Sequence, residues 1–424
     1  MKISVVGLGY VGLPLACAIA KHKEYELVGF DLDKGKIEQI QNGICPIDDF
    51  QCELDLKEVN LRVSSDPDIL RDSSIYIVCV PTPVENDYTP DLRPVKSATA
   101  TVANYIQKGQ ILVIESTINP GVCDEVVIPI VEEITGLRAK VDFDVAHCPE
   151  RINPGDPIWN VYNIPRNIGS TSPEATKKTA DFYRTVINAE INEMPDLKTA
   201  EATKIIENTF RDINIAYVNE LAKSFDVLDI DLIKVIEGAK NKPFAFMAHY
   251  PSCGVGGHCI PVDPYYLIER AQKSGFDHQY LKLARKINNS MPEYTVELLF
   301  KGLNSISKSI KNTPIALLGL SYKADVRDQR ESPSLKIKAQ LIKYSADLII
   351  YDPNFPEECT YRTLEETLDK ASAVVLAVNH KEFVEYLTAE NFKKHNIKVV
   401  IDGKNMLDKD GIKALDIYYK GIGR

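Results

Sequence analysis

The residues with the clearest chemical potential lie in one short segment, "YPSCGVGGHCIPVDPYYL", which runs from Tyr250 to Leu267. Its glycines Gly254, Gly256 and Gly257 permit backbone conformations that other residues rarely adopt, and they let a ligand approach the main chain. Cys259 follows them almost directly. A thiol held in such a loop suggests a nucleophile that adds to a carbonyl carbon.

Two other interpretations of Cys259 stay open on this segment alone. The thiol could be an inert side chain of the core, because unpaired cysteines are often buried. Cys253 and the "HC" pair could instead be half of a zinc site. Structural zinc usually needs a second pair of ligands at a fitting spacing, and the sequence contains none, so we expect no metal.

A second cluster of glycines lies near the start of the chain. Gly7, Gly9 and Gly12 form G-x-G-x-x-G between a short apolar run and the helical pattern "LPLACAIAK". This spacing allows a tight turn and close approach of a pyrophosphate to a helix N-terminus. Asp31 ends the next strand pattern, where a carboxylate accepts hydrogen bonds from a ribose diol and repels a 2′-phosphate. The cluster predicts NAD as the cofactor; a plain glycine-rich turn with a capping aspartate is the alternative.

With a nicotinamide nearby, the chemistry expected of Cys259 becomes more specific. The thiolate adds to an aldehyde to give a thiohemiacetal, hydride loss gives a thioester, and water releases an acid. Lys36 follows Asp31 on a helix and could reach the cofactor, although an exposed lysine is the simpler interpretation. The residues predicted to contact the cofactor are Gly7, Gly9, Tyr10, Val11, Gly12, Asp31, Lys36, Thr82 and Thr117.

Strand patterns alternate with helical patterns over the first part of the chain, which predicts a parallel, doubly wound sheet. A helical pattern without Pro or Gly then extends from Thr199 to about Asp226. After about Lys311 the alternation restarts and predicts a second, smaller doubly wound domain. Ser321 and Ala324 occupy the positions that correspond to Gly9 and Gly12 of the first domain, so the second domain should not bind a pyrophosphate in the same way.

Composition excludes several classes of protein. The chain has 424 residues and a net charge of −10, with no dense Lys/Arg block, so nucleic acid is not expected as a partner. The sequence contains no run of about 18 apolar residues, so we expect no membrane-spanning helix. The first residues lack a cleavable signal pattern, and nine cysteines without regular spacing indicate reduced thiols. We therefore expect a cytoplasmic protein.

Several motifs, in their order along the chain, resemble those of the UDP-glucose/GDP-mannose dehydrogenase family: "GLGYVGLP", "VPTP", "ESTINPG", "HCPERINPGD", "AEATKIIENTFRDINIAYVNEL", "GVGGHCIPVDPYYL" and "GLSYKADVRDQRESP". The resemblance covers essentially the whole chain. It implies an α/β fold with two Rossmann-like doubly wound domains joined by a long central helix, on which the protein forms a homodimer. The implied parts are an NAD-binding domain over 1–198, a central helical dimerisation region over 199–300 and a UDP-sugar-binding domain over 301–424.

The family oxidises the C6 alcohol of a nucleotide sugar to a carboxylate through a thioester, with two NAD⁺ used in turn. The resemblance implies that Cys259 is the nucleophile and that Asp263 lies near the catalytic water. One departure is Pro154, which stands where relatives commonly carry a second glutamate. Lys204 and Asn208 lie four residues apart and therefore on one face of a helix, and their implied role is to stabilise an oxyanion. Thr117 is implied to bind the catalytic water, and Glu150 is implied to act in hydrolysis of the thioester.

The motifs resemble the branch that acts on UDP-N-acetylhexosamines, with Arg211 as the sharpest indication. UDP-GlcNAc is favoured, followed by UDP-ManNAc and UDP-GalNAc, and the uronate would serve polysaccharide assembly. A UDP-glucose 6-dehydrogenase is the alternative, and a two-electron dehydrogenase or a catalytically inactive sensor are more distant ones. The residues expected to contact the UDP-sugar are Arg151, Arg211, Tyr250, Gly256, Gly257, Lys323 and Arg330.

Overall fold

The first strand, β1, lies inside an eight-stranded sheet in the order β3-β2-β1-β4-β5-β6-β7-β8. All neighbours pair in parallel except β6 and β7, which are antiparallel. The order of the first six strands is that of a dinucleotide-binding Rossmann sheet. The strands are β1 Lys2–Val6, β2 Glu26–Phe30, β3 Arg62–Ser64, β4 Ile75–Val78, β5 Ile111–Ile114, β6 Asp144–His147, β7 Arg166–Ser170 and β8 Ile191–Glu193.

The computed structural model describes residues 1–47, 49–85, 88–151 and 158–424, so the departure predicted at Pro154 lies outside the described residues. The chain divides into two units. The first comprises Met1–Glu207 and Tyr265–Phe276, and the second comprises Asn208–Pro264 and Asp277–Arg424.

The sheet of the first unit is covered by helices on both faces, and its central strands are therefore apolar throughout. Every residue of β4 and β5 is buried, which is typical of parallel strands between two helical layers. The helices that lie wholly in this unit are α1 Gly12–Ala20, α2 Lys34–Gln41, α3 Phe50–Glu58, α4 Arg93–Ala103, α5 Ile128–Thr135 and α6 Pro173–Val186, with a 3₁₀ turn at Pro67–Leu70 and a π-helical turn at Cys123–Val127.

The long helix α7, Leu197–Val227, begins in the first unit and continues in the second from Asn208. It starts two residues before the predicted position, because the Asp196 side chain accepts a hydrogen bond from the backbone N–H of Thr199 at 2.7 Å and caps the first turn. The remaining helices are α8 Leu232–Ala239, α9 Asp263–Lys273, α10 Gln279–Asn289, α11 Met291–Ser305, α12 Pro333–Lys343, α13 Leu364–Lys370, α14 Lys381–Tyr386, α15 Ala389–Lys394 and α16 Lys409–Ala414, with a 3₁₀ turn at Pro356–Glu358.

The second unit contains a five-stranded, fully parallel sheet in the order β10-β9-β11-β12-β13. This is the other common order of doubly wound sheets. The α/β fold with two doubly wound domains is thereby confirmed. The strands are β9 Pro314–Leu318, β10 Asp347–Tyr351, β11 Ala373–Leu376, β12 Val399–Asp402 and β13 Tyr418–Gly421.

The turn after β9 differs from the turn after β1 in the way the sequence predicted. Its backbone N–H groups at Leu320 and Ser321 donate to the buried carboxylate of Asp352 at 2.6 and 3.0 Å. No helix follows this turn directly, since α12 begins only at Pro333. The turn thus lacks the helix N-terminus that would bind a pyrophosphate.

Candidate active site

The turn between β1 and α1 has the geometry that a pyrophosphate needs. Gly7 has φ of +91°, and a Cβ on Gly12 would lie 1.9 Å from the Gly7 carbonyl oxygen, so only glycine fits at position 12. A Cβ on Gly9 would meet no atom of residues 1–47, 49–85, 88–151 or 158–424 within 4 Å, which leaves space beside the main chain. Val11, at the start of α1, makes no side-chain capping bond. Backbone N–H groups of the first helical turn can therefore receive an anion.

Asp31 connects this turn to the second strand. Its Oδ2 accepts from the Leu8 N–H at 2.8 Å and from Lys36 Nζ at 3.1 Å, and its Oδ1 accepts from the Asp33 N–H at 2.9 Å. A carboxylate offers about four lone-pair sites. The side chain can therefore also accept from a ribose diol, and the residues of the turn fit a dinucleotide. Lys36 is an ion-pair partner of Asp31 and not only a solvated lysine.

The other residues predicted to contact the cofactor also belong to the first unit. Tyr10 is exposed at the glycine turn, and Thr117 is half-buried just beyond β5. The Thr82 carbonyl accepts a hydrogen bond from the Tyr266 hydroxyl, so its backbone is held while its side chain remains half-buried. Their contacts with the cofactor stay predictions.

Glu150 follows β6 and has an unusual environment for a carboxyl group. Its Oε1 is buried and has no hydrogen-bond partner in the described part of the chain. Burial raises the pKa of Glu150 to about 7, although the nearby positive charges of Lys204 and Arg166 act in the opposite direction. Lys204 is itself almost fully buried. Near neutral pH the Glu150 side chain is divided between acid and carboxylate, which suits proton transfer.

A buried charged cluster lies next to Glu150. Arg166, on β7, is fully buried and lies 3.6 Å from the equally buried Glu115, which also accepts from the Tyr183 hydroxyl at 2.5 Å. Burial raises the pKa of Glu115 and the Arg166 charge opposes this rise. The three guanidinium nitrogens of Arg166 have no hydrogen-bond partner among the described residues. Its charge therefore acts on Glu115 and Glu150 through the low-dielectric interior.

In the second unit, Asn208 and Asp263 are joined directly. Asn208 Nδ2 donates to Oδ2 of the buried Asp263 at 2.6 Å. The backbone N–H of Asp263 donates to the Cys259 carbonyl at 2.8 Å, so Cys259 opens the turn that leads into α9. The structure thus brings together three of the predicted catalytic residues, Asn208, Cys259 and Asp263, through one side-chain bond and one backbone bond.

The segment before Cys259 is anchored in the second unit. The Cys253 N–H donates to the Gly403 carbonyl at 3.1 Å and its buried Sγ lies 3.5 Å from the Ala377 carbonyl. The Ser252 N–H donates to Asn219 Oδ1, on α7, at 3.0 Å. Cys253 is therefore a core thiol. Among residues 1–47, 49–85, 88–151 and 158–424, no group of three or more His, Cys, Asp or Glu could hold a metal ion.

The glycines of the segment are also required for packing. A Cβ on Gly256 would lie 2.8 Å from Cβ of Tyr322, and Gly257, with φ of +93°, would place a Cβ 2.9 Å from the Tyr322 ring. The sequence interpretation gave these glycines a role in close approach of a ligand. The structure adds a reason inside the chain, because the loop lies directly against Tyr322.

The residues predicted to contact the sugar nucleotide have different surroundings. Arg151 pairs with Glu207 at 2.6 Å in the first unit, and the Tyr250 hydroxyl donates to Glu237 at 2.6 Å in the second. Arg211 is exposed on α7, and none of the described ion pairs involves it. A salt bridge between helices, the simplest structural reason for an arginine at this position, is therefore not seen among the described residues.

Two further residues predicted to contact the substrate lie in the loop between β9 and α12. Lys323 is half-buried there. Arg330 is largely exposed and pairs with Asp328 at 2.6 Å.

Family models match three consecutive segments of the chain: an NAD binding domain over residues 1–187, a central domain over 198–290 and a UDP binding domain over 316–409 of the UDP-glucose/GDP-mannose dehydrogenase family. The chain belongs to the UDP-glucose/GDP-mannose dehydrogenase family. It is an NAD-dependent nucleotide-sugar dehydrogenase, and the NAD cofactor predicted from the glycine turn is confirmed.

Individual relatives match this family member over nearly its full length. A UDP-N-acetyl-D-mannosamine dehydrogenase from Pyrococcus horikoshii is 36% identical, covering 100% of this chain and 99% of the relative. A UDP-N-acetyl-D-glucosamine 6-dehydrogenase from Pseudomonas aeruginosa is also 36% identical, over 97% and 98% of the two chains. A solved structure of a UDP-D-ManNAc dehydrogenase from Pyrococcus horikoshii has a TM-score of 0.93 at 36% identity and covers 100% and 99%.

Sequence reasoning missed several polar residues of this family member. Glu115 is the first letter of the "EST" motif, of which only Thr117 was singled out, and its place directly after a buried strand was an available signal. Asp328 lies two residues before Arg330, a spacing that could have indicated the pair. His147, at the end of β6, gave no local signal. It is fully buried, and burial lowers its pKa to about 3, so the imidazole is neutral.

None of the helices in the described ranges is long and apolar enough to cross a membrane.

Proposed function

We propose that the protein oxidises the C6 hydroxyl of a UDP-N-acetylhexosamine to a carboxylate, in a four-electron reaction that passes through a thioester on Cys259. The observation that carries this proposal is the hydrogen bond between Asn208 and Asp263 at the base of the Cys259 turn. It gives the loop an amide and a carboxylate in addition to a thiol. A two-electron alcohol dehydrogenase needs no such nucleophile.

The proposed roles divide between oxidation and acyl transfer. The Gly7–Gly12 turn and Asp31 would hold NAD⁺, which would supply the hydride acceptor for each oxidation. Lys204 and Asn208 stabilise negative charge on the sugar oxygen. Cys259 adds to the carbon of the aldehyde, forming a C–S bond, and the oxidised adduct is a thioester.

Hydrolysis of the thioester is assigned to Glu150, Thr117 and Asp263. Water attacks the acyl carbon, the C–S bond breaks, and Cys259 leaves as a thiolate. The pKa of Glu150, raised by burial to about 7, supports a role as the base that takes a proton from this water. Pro154, where relatives commonly have a second glutamate, increases the demand on Glu150.

The proposed substrate class follows from the relatives and from Arg211. Relatives of equal identity act, by their names, on UDP-N-acetyl-D-mannosamine and UDP-N-acetyl-D-glucosamine. We favour UDP-GlcNAc, followed by UDP-ManNAc and UDP-GalNAc, with UDP-glucose as the alternative. Arg211 is exposed and makes no described ion pair, so its charge is available for a nucleotide sugar in its own or a partner's site. Lys323, Arg330, Tyr250, Arg151 and the Gly256–Gly257 backbone are the other proposed contacts.

The assembly is proposed to be a homodimer formed on α7 in the cytoplasm. Phe210 and Tyr217 are 49% and 54% exposed on this helix, and Tyr280 and Leu283 on α10 are 62% and 50% exposed. Large apolar side chains exposed together are typical of a protein interface.

The deciding experiment measures NADH formed per UDP-sugar consumed, with UDP-GlcNAc, UDP-ManNAc, UDP-GalNAc and UDP-glucose assayed in parallel. We expect two NADH per sugar with one N-acetylhexosamine. One NADH per sugar would refute the thioester route, and activity confined to UDP-glucose would refute the role of Arg211.

The variant Cys259→Ser separates the remaining alternatives. We expect it to lose steady turnover, because a hydroxyl cannot replace the thiolate in acyl transfer. Full turnover by the variant would support a two-electron dehydrogenase. Binding of UDP-sugars to the unmodified protein without any NADH would support a sensor.

A further inference from the structure

Hydrogen bonds connect Asp328, Arg330 and His258, and His258 directly precedes Cys259. The Arg330 Nε donates to both carboxylate oxygens of Asp328 at 3.0 Å, and its Nη2 donates to Oδ2 at 2.6 Å. The same Nη2 lies 3.2 Å from Nδ1 of His258. An arginine can only donate, so Nδ1 of His258 accepts. The guanidinium is thus fixed between a carboxylate and the imidazole that precedes Cys259.

Backbone contacts fix the same two segments. The N–H of Gly257 donates to the Arg330 carbonyl at 3.0 Å, and the N–H of Tyr322 donates to the Asp328 carbonyl at 2.9 Å. The Tyr322 ring lies against Gly257, where a Cβ would approach it to 2.9 Å. The loop that carries Arg330 and the loop that carries Cys259 therefore hold each other through both main chain and side chain.

The charges in this arrangement act on the thiol. Burial opposes ionisation of Asp328, but hydrogen bonds from Arg330 overcome this and lower its pKa. Hydrogen bonding with Asp328 raises the pKa of Arg330, and a negative charge on Cys259 acts in the same direction. A guanidinium near a cysteine favours the thiolate. Other ionisable groups beside this turn include His258, Tyr322 and Asp263, and of these Tyr322 and Asp263 oppose a thiolate when they are ionised.

We propose that Arg330, held by Asp328 and His258, is the cation that stabilises the Cys259 thiolate and the residue that positions the loop of the nucleophile. This assignment rests on the proposed role of Cys259. It gives Arg330 a function before any sugar nucleotide arrives, whereas the motif resemblance gives it only a contact with the UDP-sugar. Asp328 is then a positioning residue that keeps the guanidinium against the cysteine loop.

The test measures the pH dependence of Cys259 alkylation by iodoacetamide in the protein without substrate or cofactor, with the Cys259 peptide quantified by mass spectrometry. Arg330→Gln removes the charge and keeps hydrogen-bond donors. We expect its alkylation midpoint to move up by about one pH unit, a tenfold loss of thiolate below the midpoint. Arg330→Lys keeps the charge without the fork geometry, and we expect a smaller shift.

The matched control is Arg327→Gln, which removes an arginine of the same loop that pairs with Glu357 and not with the cysteine segment. Its midpoint should equal that of the unmodified protein. Equal midpoints for Arg330→Gln, Arg330→Lys and the unmodified protein would overturn the proposal, even if KM for a UDP-sugar rises. If Arg330→Gln does not fold, Arg330→Lys alone decides: a midpoint no higher than that of the control refutes the assignment. A midpoint shift in a protein that forms only one NADH per sugar would refute the thioester route and leave the Arg330 assignment standing.

Discussion

Asn208 on α7 donates its amide proton to Asp263 at the first position of α9, at a distance of 2.6 Å. The bond joins a side chain from the middle of a long helix to the end of the turn that carries Cys259. Asp263 is buried, so contacts within the protein and not solvent orient its side chain, and the bond from Asn208 is one of them.

We expect Asn208→Ala and Asp263→Asn each to lower kcat by about 100-fold, because each removes a preorganised group from the reacting centre. The double variant should lose less than the product of the two, with a coupling of roughly 0.5–3 kcal/mol. Steady-state kinetics of the four proteins provide the measurement. Asn214→Ala is the control, since the side chain of this α7 asparagine donates to the Phe210 carbonyl of its own helix. Strictly additive losses would contradict a shared role.

The raised pKa of Glu150 leads to a prediction about pH and activity. As a base Glu150 must be ionised, so hydrolysis should increase as the pH rises through about 7. Glu150→Gln should lower kcat by about 10²–10⁴-fold and cause the acyl-enzyme on Cys259 to accumulate. Mass spectrometry of protein quenched during turnover measures the adduct. An unmodified Cys259 in the inactive variant would show that Glu150 acts before thioester formation.

The raised pKa of Glu150 also leads to a prediction about the stability of the folded protein. Its pKa is higher in the folded protein than the ordinary 4.5, so the folded state binds more protons between that pH and about 7. The free energy of unfolding should therefore fall as the pH rises through this window. Glu150→Gln removes the cost of a buried charge and should be more stable than the unmodified protein above pH 7, by roughly 1–3 kcal/mol, and should lose this advantage below pH 4.5. Thermal unfolding across this range tests it, and a constant difference would contradict it.

The glycine turn offers a matched pair of substitutions. Gly12→Ala places a Cβ 1.9 Å from the Gly7 carbonyl, so we expect a loss of stability of more than about 2 kcal/mol. A Cβ from Gly9→Ala meets no described atom within 4 Å, so stability should hardly change, but the methyl group occupies space needed by the pyrophosphate. NAD affinity, measured by calorimetry, should fall at least about tenfold for Gly9→Ala. Unchanged affinity would contradict the assignment of this turn.

The apolar side chains of α7 predict a dependence of assembly on Phe210 and Tyr217. Tyr217→Lys should place a charge in the proposed interface and give a monomer in light scattering. Val384→Lys is a control, since Val384 is 58% exposed on α14, which is not part of the proposed interface. A monomer for the unmodified protein, or for both variants alike, would contradict an interface at this position.

The sequence by itself determined the features that depend on neighbouring residues. The strands, the long helix and the NAD turn with Asp31 follow from apolar runs and glycine spacing, because such patterns impose backbone geometry over a few residues. The sequence also predicted the difference between the turn after β1 and the turn after β9, since Ser321 and Ala324 replace glycines in the second turn. Lys204 and Glu150 were identified as catalytic candidates only through the motif resemblance, because no local pattern singles them out. Their roles stay predictions.

Only the tertiary structure decided which charges meet and how strongly burial acts on them. Arg166 and Glu115 are separated by 51 positions in the sequence, and His258 and Arg330 by 72 positions. Neither contact can therefore be predicted from neighbouring residues. The pKa of Glu150 depends on its exclusion from water and on the distances to Lys204 and Arg166. Electrostatic energy depends on separation and dielectric environment, and both are properties of the folded chain and not of residue order.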